Sequence, residues 1–262
     1  MTVPATSISY PAPKDQRNAD RPVLVLGARS DIARALAHAL AARGHPLQLA
    51  ARQVDRLERD RDDFAVRHGV PVSLHELDVT RPETFADMLS SLPVAPRIVI
   101  SAVGLMGDQD SNAADPALAM QVFATNFTGP ALFCEEVARR LDAADMSSAL
   151  IGISSVAGDR GRARNYVYGS AKAGFTAYLS GLRQKYARRP LLVMTVRPGF
   201  VATAMTQGMD LPARLTTTPE ALAARILRAL DKGRPVHVDP LWRVIMGIIT
   251  HVPERIFMRL RF

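Results

Sequence analysis

Cysteine is nearly absent from the 262-residue chain, since Cys134 is the only one. A lone thiol cannot form an intrachain disulfide, and such a composition is typical of a reducing, cytoplasmic compartment. The N-terminal stretch also lacks the apolar core of a signal peptide, and it carries Pro4, Pro11 and Pro13 among polar residues. We therefore expect a cytoplasmic protein with a flexible extension over residues 1–21.

Aromatic residues are scarce as well, at 6% of the chain, whereas positive charge is in excess, with a formal net charge of +8. A basic surface suits an anionic partner, such as a phosphorylated cofactor, nucleic acid or an acidic membrane face. The positive residues are spread along the chain, and no recognisable nucleic-acid-binding motif accompanies them. We expect no nucleic-acid partner, and no metal site is predicted.

Short apolar runs alternate along the chain with longer helical patterns. Residues 22–27 form a continuous apolar run, as a buried parallel strand does, and apolar residues at helical spacing follow it up to Gly44, a candidate C-cap. Further strands are predicted at residues 47–51, 72–77, 97–102, 149–154 and 191–196, and further helices at 117–127, 131–141, 171–187 and 219–232. This order predicts an α/β fold: a Rossmann-type doubly wound parallel sheet in a single domain over residues 22–235.

The turn after the first strand is a candidate phosphate-binding site. Gly27 permits a tight turn, and the amides of Ser30, Asp31 and Ile32 at the helix start could hold a pyrophosphate. The later glycines of a dinucleotide fingerprint are replaced by Asp31 and Ala33, so an ordinary strand-to-helix loop remains an alternative. Asp31 would have to point away from the pyrophosphate, toward backbone amides near the helix start.

Two arginines favour NADP(H) over NAD(H) as the cofactor. Arg29 lies in the turn, and Arg52 follows the second strand, where an acidic residue would accept the ribose hydroxyls of NAD. A solvated arginine in a charged segment is the alternative, so NAD(H) stays open. Asp78 and Val79 follow the third strand and are placed to meet the adenine.

Tyr168 and Lys172 carry the most informative pattern. At i and i+4 they share one helix face, and the lysine ammonium together with a positive nicotinamide could lower the pKa of the tyrosine. Ser155 ends the preceding strand, and its hydroxyl could hold a substrate carbonyl while Tyr168 donates the proton. Taken alone, such a pair also fits a packed tyrosine beside a surface lysine.

Several motifs in order resemble the classical short-chain dehydrogenase/reductase family over about residues 22–230. The resemblance implies that Asn126 is catalytic, its backbone carbonyl holding a water in a proton relay to Lys172. The family usually has Asn-Asn-Ala-Gly at the positions of Ser101, Ala102, Val103 and Gly104. This departure puts the adenosine-side contacts of Ala102 and Gly104 in doubt. After the sixth strand, the matching cofactor-binding residues are Pro198, Gly199, Val201 and Thr203. Of these, Val201 and Thr203 would contact the nicotinamide carboxamide. The resemblance also implies a homo-oligomer.

The loop between Ser155 and Tyr168 contains Arg160, Arg162 and Arg164. Because the planar arginine fork binds phosphate bidentately, these residues are candidates for recognition of an anionic substrate group. A solvated basic loop is the alternative.

The C-terminal segment, residues 236–262, is apolar and basic but too short and interrupted to span a bilayer. It could lie on an anionic membrane surface, or pack into the core or a subunit interface.

Residues 104–108, 154–172 and 251–260 resemble one subgroup of the family, the decaprenylphosphoryl-2-keto-pentose reductases. The resemblance implies reduction of a keto-sugar on a polyprenyl phosphate in cell-envelope glycan synthesis, coupled to a flavin-dependent sugar oxidase. Alternatives are reduction of a soluble ketone or 3-keto acyl substrate, and a non-catalytic cofactor-binding regulator.

Overall fold

The computed structural model describes residues 21–144 and 146–260. Strands and helices alternate along most of this part of the chain. The strands are β1 (Val23–Leu26), β2 (Leu47–Ala51), β3 (Val72–Glu76), β4 (Ile98–Ser101), β5 (Ser148–Ile153), β6 (Leu191–Val196), β7 (Phe200–Val201), β8 (Thr216–Thr217) and β9 (Val236–His237). The helices are α1 (Asp31–Ala41), α2 (Glu58–His68), α3 (Phe85–Ser90), α4 (Gln109–Ala114), α5 (Pro116–Phe123), α6 (Gly129–Ala143), α7 (Tyr166–Lys185), α8 (Pro219–Asp231), α9 (Pro240–His251) and α10 (Glu254–Phe257).

Seven strands of the described residues form one parallel sheet in the order β3-β2-β1-β4-β5-β6-β9. The strand order reverses beside β1, where β2 lies on one side and β4 on the other. In doubly wound sheets this reversal opens a crevice at the carboxyl ends of the strands, which is the usual place for a nucleotide. A separate pair, β7 and β8, lies in the loop region after β6.

Helices cover both faces of the sheet because its strands are apolar on both sides. Val23 and Val25 point into one hydrophobic cluster, which α1 and α8 complete. Leu24 and Leu26 point into the other, which α3, α6 and α7 complete. The two clusters make the sheet a rigid platform, so the loops at its carboxyl edge are held in fixed positions.

The predicted α/β fold is confirmed, and the six predicted strands form close to their expected bounds. The sequence did not indicate the seventh strand, β9, which lies just beyond residue 235 and pairs with β6. Helix α7 begins at Tyr166, five residues before the predicted start at residue 171. Apart from Arg21, the expected N-terminal extension lies outside the described residues. Within residues 21–144 and 146–260, no helix is long and apolar enough to cross a bilayer.

Candidate active site

Ser155, Tyr168 and Lys172 meet at the carboxyl end of β5. Ser155 follows this strand and caps a short turn, where its hydroxyl accepts a hydrogen bond from the amide of Ala157 at 3.1 Å. Tyr168 and Lys172 lie one turn apart near the start of α7, with the lysine Nζ 5.7 Å from the tyrosine ring centre. The Ser155 hydroxyl also lies close enough to the Tyr168 hydroxyl to lower its pKa. The arrangement can therefore hold and protonate a carbonyl oxygen at one point.

Lys172 is buried between the ends of two strands. Its ammonium donates to the carbonyls of Ile153 at 3.1 Å and Val103 at 3.2 Å. Burial disfavours the charged form and lowers the pKa of Lys172 to about 7. The ammonium is therefore held in a fixed place, and it gains or loses its proton near neutral pH.

Burial raises the pKa of Tyr168 to about 12, and the hydrogen bond from Ser155 acts against that rise. The lowered tyrosine pKa expected from the sequence is thus not produced by the protein groups alone. The positive charge of an oxidised nicotinamide would have to supply it. In the protein itself Tyr168 is a protonated acid at neutral pH, which suits proton donation.

Asn126 is completely buried and holds the loop after β4. Its side-chain amide donates to the carbonyls of Leu105 at 2.6 Å and Val122 at 2.9 Å, and its Oδ1 accepts from the Leu105 amide at 3.1 Å. It lies in a π-helical turn, Ala124–Thr128, a form that often marks functional sites. A Cβ on Gly104 would lie 3.6 Å from Asn126 Oδ1 and 4.0 Å from Lys172 Nζ. The structure therefore brings Asn126 and Gly104 to the same place as Lys172.

Gly27 lets the first turn pass close to the backbone that follows β4. Its φ is +78°, and a Cβ there would meet the backbone of Ala102 and Val103 at 2.9 Å. No side chain in the described part of the chain caps the start of α1 at Ser30, so its first-turn amides face outward. This uncapped helix start beside a close backbone approach fits a pyrophosphate.

The Asp31 carboxylate does not turn toward the amides at the start of its own helix, which were the partners expected from the sequence. It accepts a hydrogen bond at 2.7 Å from the amide of Ala204, in the loop after β7, and not from an amide of its own helix. The contact ties the pyrophosphate turn to the loop that contains Val201 and Thr203. Thr203 and Thr206 form a capping box that stiffens this loop.

The adenosine side of the cleft carries the predicted residues at the ends of β2 and β3. Arg29 and Arg52 are exposed, and a guanidinium nitrogen of Arg52 lies 4.0 Å from the Asp78 carboxylate. Asp78 also accepts from the amide and hydroxyl of Thr80. Glu76, which sequence reasoning missed, accepts from the amides of Gln53 and Val54 and so fixes the turn after Arg52.

The predicted nicotinamide side of the cleft contains Pro198 and Gly199. The carbonyl of Pro198 accepts from the amide of Val156 at 3.0 Å, which joins this loop to the Ser155 turn. A Cβ on Gly199 would overlap the indole of Trp242, 1.9 Å from its Nε1. Trp242 is the only tryptophan in the sequence, and no other feature of the sequence indicated that it packs on Gly199.

The three loop arginines do not form a common phosphate site. Arg160 donates to the carbonyls of Ile249 at 2.6 Å and Val252 at 2.5 Å and to Glu254 at 2.7 Å, so its fork is occupied. Arg162 is half-buried against the Val156 carbonyl, and burial lowers its pKa. Only Arg164 is exposed and without a partner in the described part of the chain.

Fold and site together define an NAD(P)-dependent oxidoreductase of the Rossmann class. Residues 21–212 match the short chain dehydrogenase family, and the chain belongs to that family. No group of His, Cys, Asp or Glu among the residues described could hold a metal ion.

Relatives of similar length support the assignment. The chain is 35% identical to an uncharacterized oxidoreductase of Streptomyces coelicolor over 95% of this chain and 99% of that protein. It is 36% identical to an uncharacterized oxidoreductase of Mycobacterium tuberculosis over 82% of this chain and 86% of that protein. A short-chain dehydrogenase from Burkholderia cenocepacia, solved with NADP, superposes with a TM-score of 0.78 at 21% identity, over 92% of this chain and 97% of that one.

Proposed function

We propose that the protein reduces the 2-keto group of a sugar carried on a polyprenyl phosphate to a hydroxyl, in the synthesis of cell-envelope glycan precursors. The observation that carries this proposal is the position of α9. Trp242 on this helix packs on Gly199 beside the nicotinamide loop, and Arg160 of the loop before Tyr168 donates to the C-terminal end of the same helix. An apolar segment therefore borders the site, where the lipid of such a substrate would lie.

The catalytic groups have distinct roles in this reaction. When bound, NADPH supplies the hydride to the carbonyl carbon. Ser155 donates a hydrogen bond to the carbonyl oxygen, and Tyr168 gives that oxygen its proton as negative charge develops there. Lys172 stabilises the resulting tyrosinate with its buried ammonium. Asn126 positions the loop beside Lys172, and its backbone carbonyl would hold the water that returns the proton.

NADP(H) is the cofactor we propose, with NAD(H) as the weaker ligand. Arg52 and Arg29 offer exposed guanidinium groups at the adenosine side, where they would meet a 2′-phosphate. The pyrophosphate would lie on the amides of Ser30, Asp31 and Ile32, and the adenine beside Asp78 and Val79. The neighbour from Burkholderia cenocepacia, which binds NADP, supports this choice.

The proposal includes the setting of the reaction. A flavin-dependent sugar oxidase would supply the ketone, and the reductase would work as a homo-oligomer on the cytoplasmic side of the membrane, in peripheral contact with it through its C-terminal segment. Arg164, the one exposed arginine of the loop, is the residue we expect to meet the substrate phosphate.

A second candidate is reduction of a soluble ketone or a 3-keto acyl thioester. One observation favours it: Arg160 is held by the C-terminal segment and cannot also bind a phosphate.

Steady-state kinetics with NADPH distinguish the two candidates. The substrates are the polyprenyl-phosphate keto-sugar in mixed micelles, the same keto-sugar without its lipid phosphate, and a 3-keto acyl thioester. We expect the highest kcat/KM for the lipid-linked sugar. A higher value for the thioester, or equal values with and without the lipid phosphate, would reject the proposal.

A further inference from the structure

Helix α9 has an apolar inner face and an apolar outer face. Trp242 and Met246 are buried, and Ile245 and Ile249 pack beside them against Val156 and Val238. The outer side is exposed although it is also apolar, with side chains at i, i+3 and i+7: Leu241, Val244 at 62% exposure and Ile248 at 65%. An apolar side of a helix is normally buried against another surface, so this outer side calls for a partner.

The exposed apolar surface continues past the helix. Of the fourteen large apolar side chains exposed in residues 21–144 and 146–260, six lie in this segment: Leu241, Val244, Ile248, Ile256, Met258 and Leu260. We call these six residues, with the exposed Arg243, Arg255 and Arg259 between them, the C-terminal face. Clusters of this kind mark interaction sites, whereas single exposed apolar residues do not.

The positive charge of the C-terminal face distinguishes two candidate partners, a second copy of the chain and an anionic lipid surface. Glu254, an exposed acid next to this face, already accepts from Arg160 at 2.7 Å. Among the described residues, the three arginines have no ion-pair partner. In a face-to-face pair of copies these arginines would meet their own equivalents, which is repulsive. An anionic lipid surface satisfies both parts of the face, since the apolar side chains enter the acyl boundary and the arginines meet headgroup phosphates.

The C-terminal face is joined to both loops that border the site. On one side, Arg160 donates to the carbonyls of Ile249 and Val252 and stacks 3.7 Å from the centre of the Phe257 ring. On the other, Trp242 donates to the Leu215 carbonyl at 3.1 Å, in the loop that follows the nicotinamide segment. A surface that binds the outer side of α9 therefore lies against the active-site mouth.

We propose that the C-terminal face docks the protein on an anionic phospholipid bilayer, with α9 lying in the plane of the interface and the active site opening beside it. The inference deepens the proposed function, which already includes membrane contact through the C-terminal segment, by naming the residues that dock and the charge of the lipid that they require. With twelve residues, α9 is too short to cross the bilayer. Docking is thus peripheral and depends on both apolar area and charge.

Co-sedimentation of the NADPH-bound protein with vesicles tests the proposal. We expect binding to phosphatidylcholine vesicles containing about 30% phosphatidylglycerol to be at least about tenfold tighter than to phosphatidylcholine alone, and to weaken as salt is raised. The variant Val244→Ser/Ile248→Ser should lose about tenfold in vesicle affinity, and so should Arg243→Gln/Arg255→Gln/Arg259→Gln. The matched control is Val66→Ser/Met120→Ser, which changes two apolar side chains that are at least as exposed, on α2 and α5.

Retained NADPH affinity and melting temperature show that each variant is folded. The proposal is overturned if the wild type does not distinguish the two kinds of vesicle, or if the control variant loses as much affinity as the others. It is also overturned if sedimentation velocity shows that Val244→Ser/Ile248→Ser dissociates an oligomer while the wild type binds no vesicles, since the face is then a subunit interface. No substrate is present in these assays, so failure to reduce a keto-sugar in micelles would reject the proposed function without affecting this result.

Discussion

The carboxylate of Asp31 accepts a hydrogen bond at 2.7 Å from the amide of Ala204, 173 residues further along the chain. One carboxylate therefore joins the turn that would hold the pyrophosphate to the loop that would hold the nicotinamide. The two halves of the cofactor cleft are kept at a fixed separation by this bond.

Two substitutions of Asp31 test the effect of its hydrogen bond and the effect of its charge separately. In Asp31→Ala the bond to Ala204 is lost, and we expect the KM for NADPH to rise about fivefold, as for one lost hydrogen bond of about 1 kcal/mol. Asp31→Asn keeps an acceptor oxygen and removes a negative charge near the pyrophosphate, so its KM should be equal to or below that of the wild type. Initial-rate kinetics check both variants, and similar losses in the two would contradict this role.

Removing the Tyr168 hydroxyl should abolish proton donation without affecting the cofactor site. For Tyr168→Phe we expect kcat to fall by about a thousandfold, within the range for a general acid, and the Kd for NADPH to stay within about twofold. Tyr166→Phe is the matched control, because Tyr166 lies on the first turn of the same helix and is exposed. Full activity in Tyr168→Phe would refute the catalytic assignment.

The pH profile of ketone reduction should reflect Lys172. Burial lowers its pKa to about 7, so the ammonium is present below that pH and is lost as the pH rises through it. We expect kcat/KM for reduction to decline above pH ~7, because a neutral lysine no longer stabilises the tyrosinate. In Lys172→Arg the side chain stays protonated, and whatever activity remains should extend to higher pH. A wild-type profile that is flat to about pH 9 would contradict the assignment.

Gly27 and Gly44 offer a matched pair of glycines. Both have positive φ, +78° and +87°, so an alanine at either position strains the backbone by about 1 kcal/mol. Only Gly27 faces other backbone at 2.9 Å, whereas nothing lies within 4 Å of a Cβ on Gly44. We expect Gly27→Ala to lose both thermal stability and NADPH binding, and Gly44→Ala to lose a little stability alone. Calorimetry and fluorescence titration give the comparison, and equal NADPH affinities would show that the turn is not a cofactor site.

Arg52 should determine the preference between the two nicotinamide cofactors. For Arg52→Ala we expect the KM for NADPH to rise about tenfold and the KM for NADH to change less than about twofold. The reason is that only NADPH carries the 2′-phosphate that Arg52 would bind. Arg56→Ala, an exposed arginine in the next turn, is the control. Parallel changes with both cofactors would place the 2′-phosphate elsewhere.

The strands and the proximity of Tyr168 to Lys172 could be predicted because their signals are local. A continuous apolar run marks a buried strand, and the spacing of Tyr168 and Lys172 places both on one side of a helix. Strand β9, at two residues, is too short to show any periodicity.

The role of Arg160 could not be predicted, because its partners lie about ninety residues further along the chain. Its position in the loop made it a candidate for binding an anionic substrate group, whereas in the structure it binds the C-terminal segment. The same reason applies to Asp31, whose partner is brought close only by the completed sheet. The pKa of Lys172 likewise follows from tertiary burial, which no spacing in the sequence shows.

The central claim is tested most directly by following the hydride. The protein is incubated with NADPH carrying deuterium at both C4 positions of the nicotinamide and with the polyprenyl-phosphate 2-keto-sugar, and the released sugar is analysed by mass spectrometry. The account predicts one deuterium at C2 of the product sugar, formed about a thousandfold more slowly when Tyr168→Phe replaces the wild type. An unlabelled or unreduced sugar with the wild type, under conditions in which a soluble ketone is reduced, would contradict it.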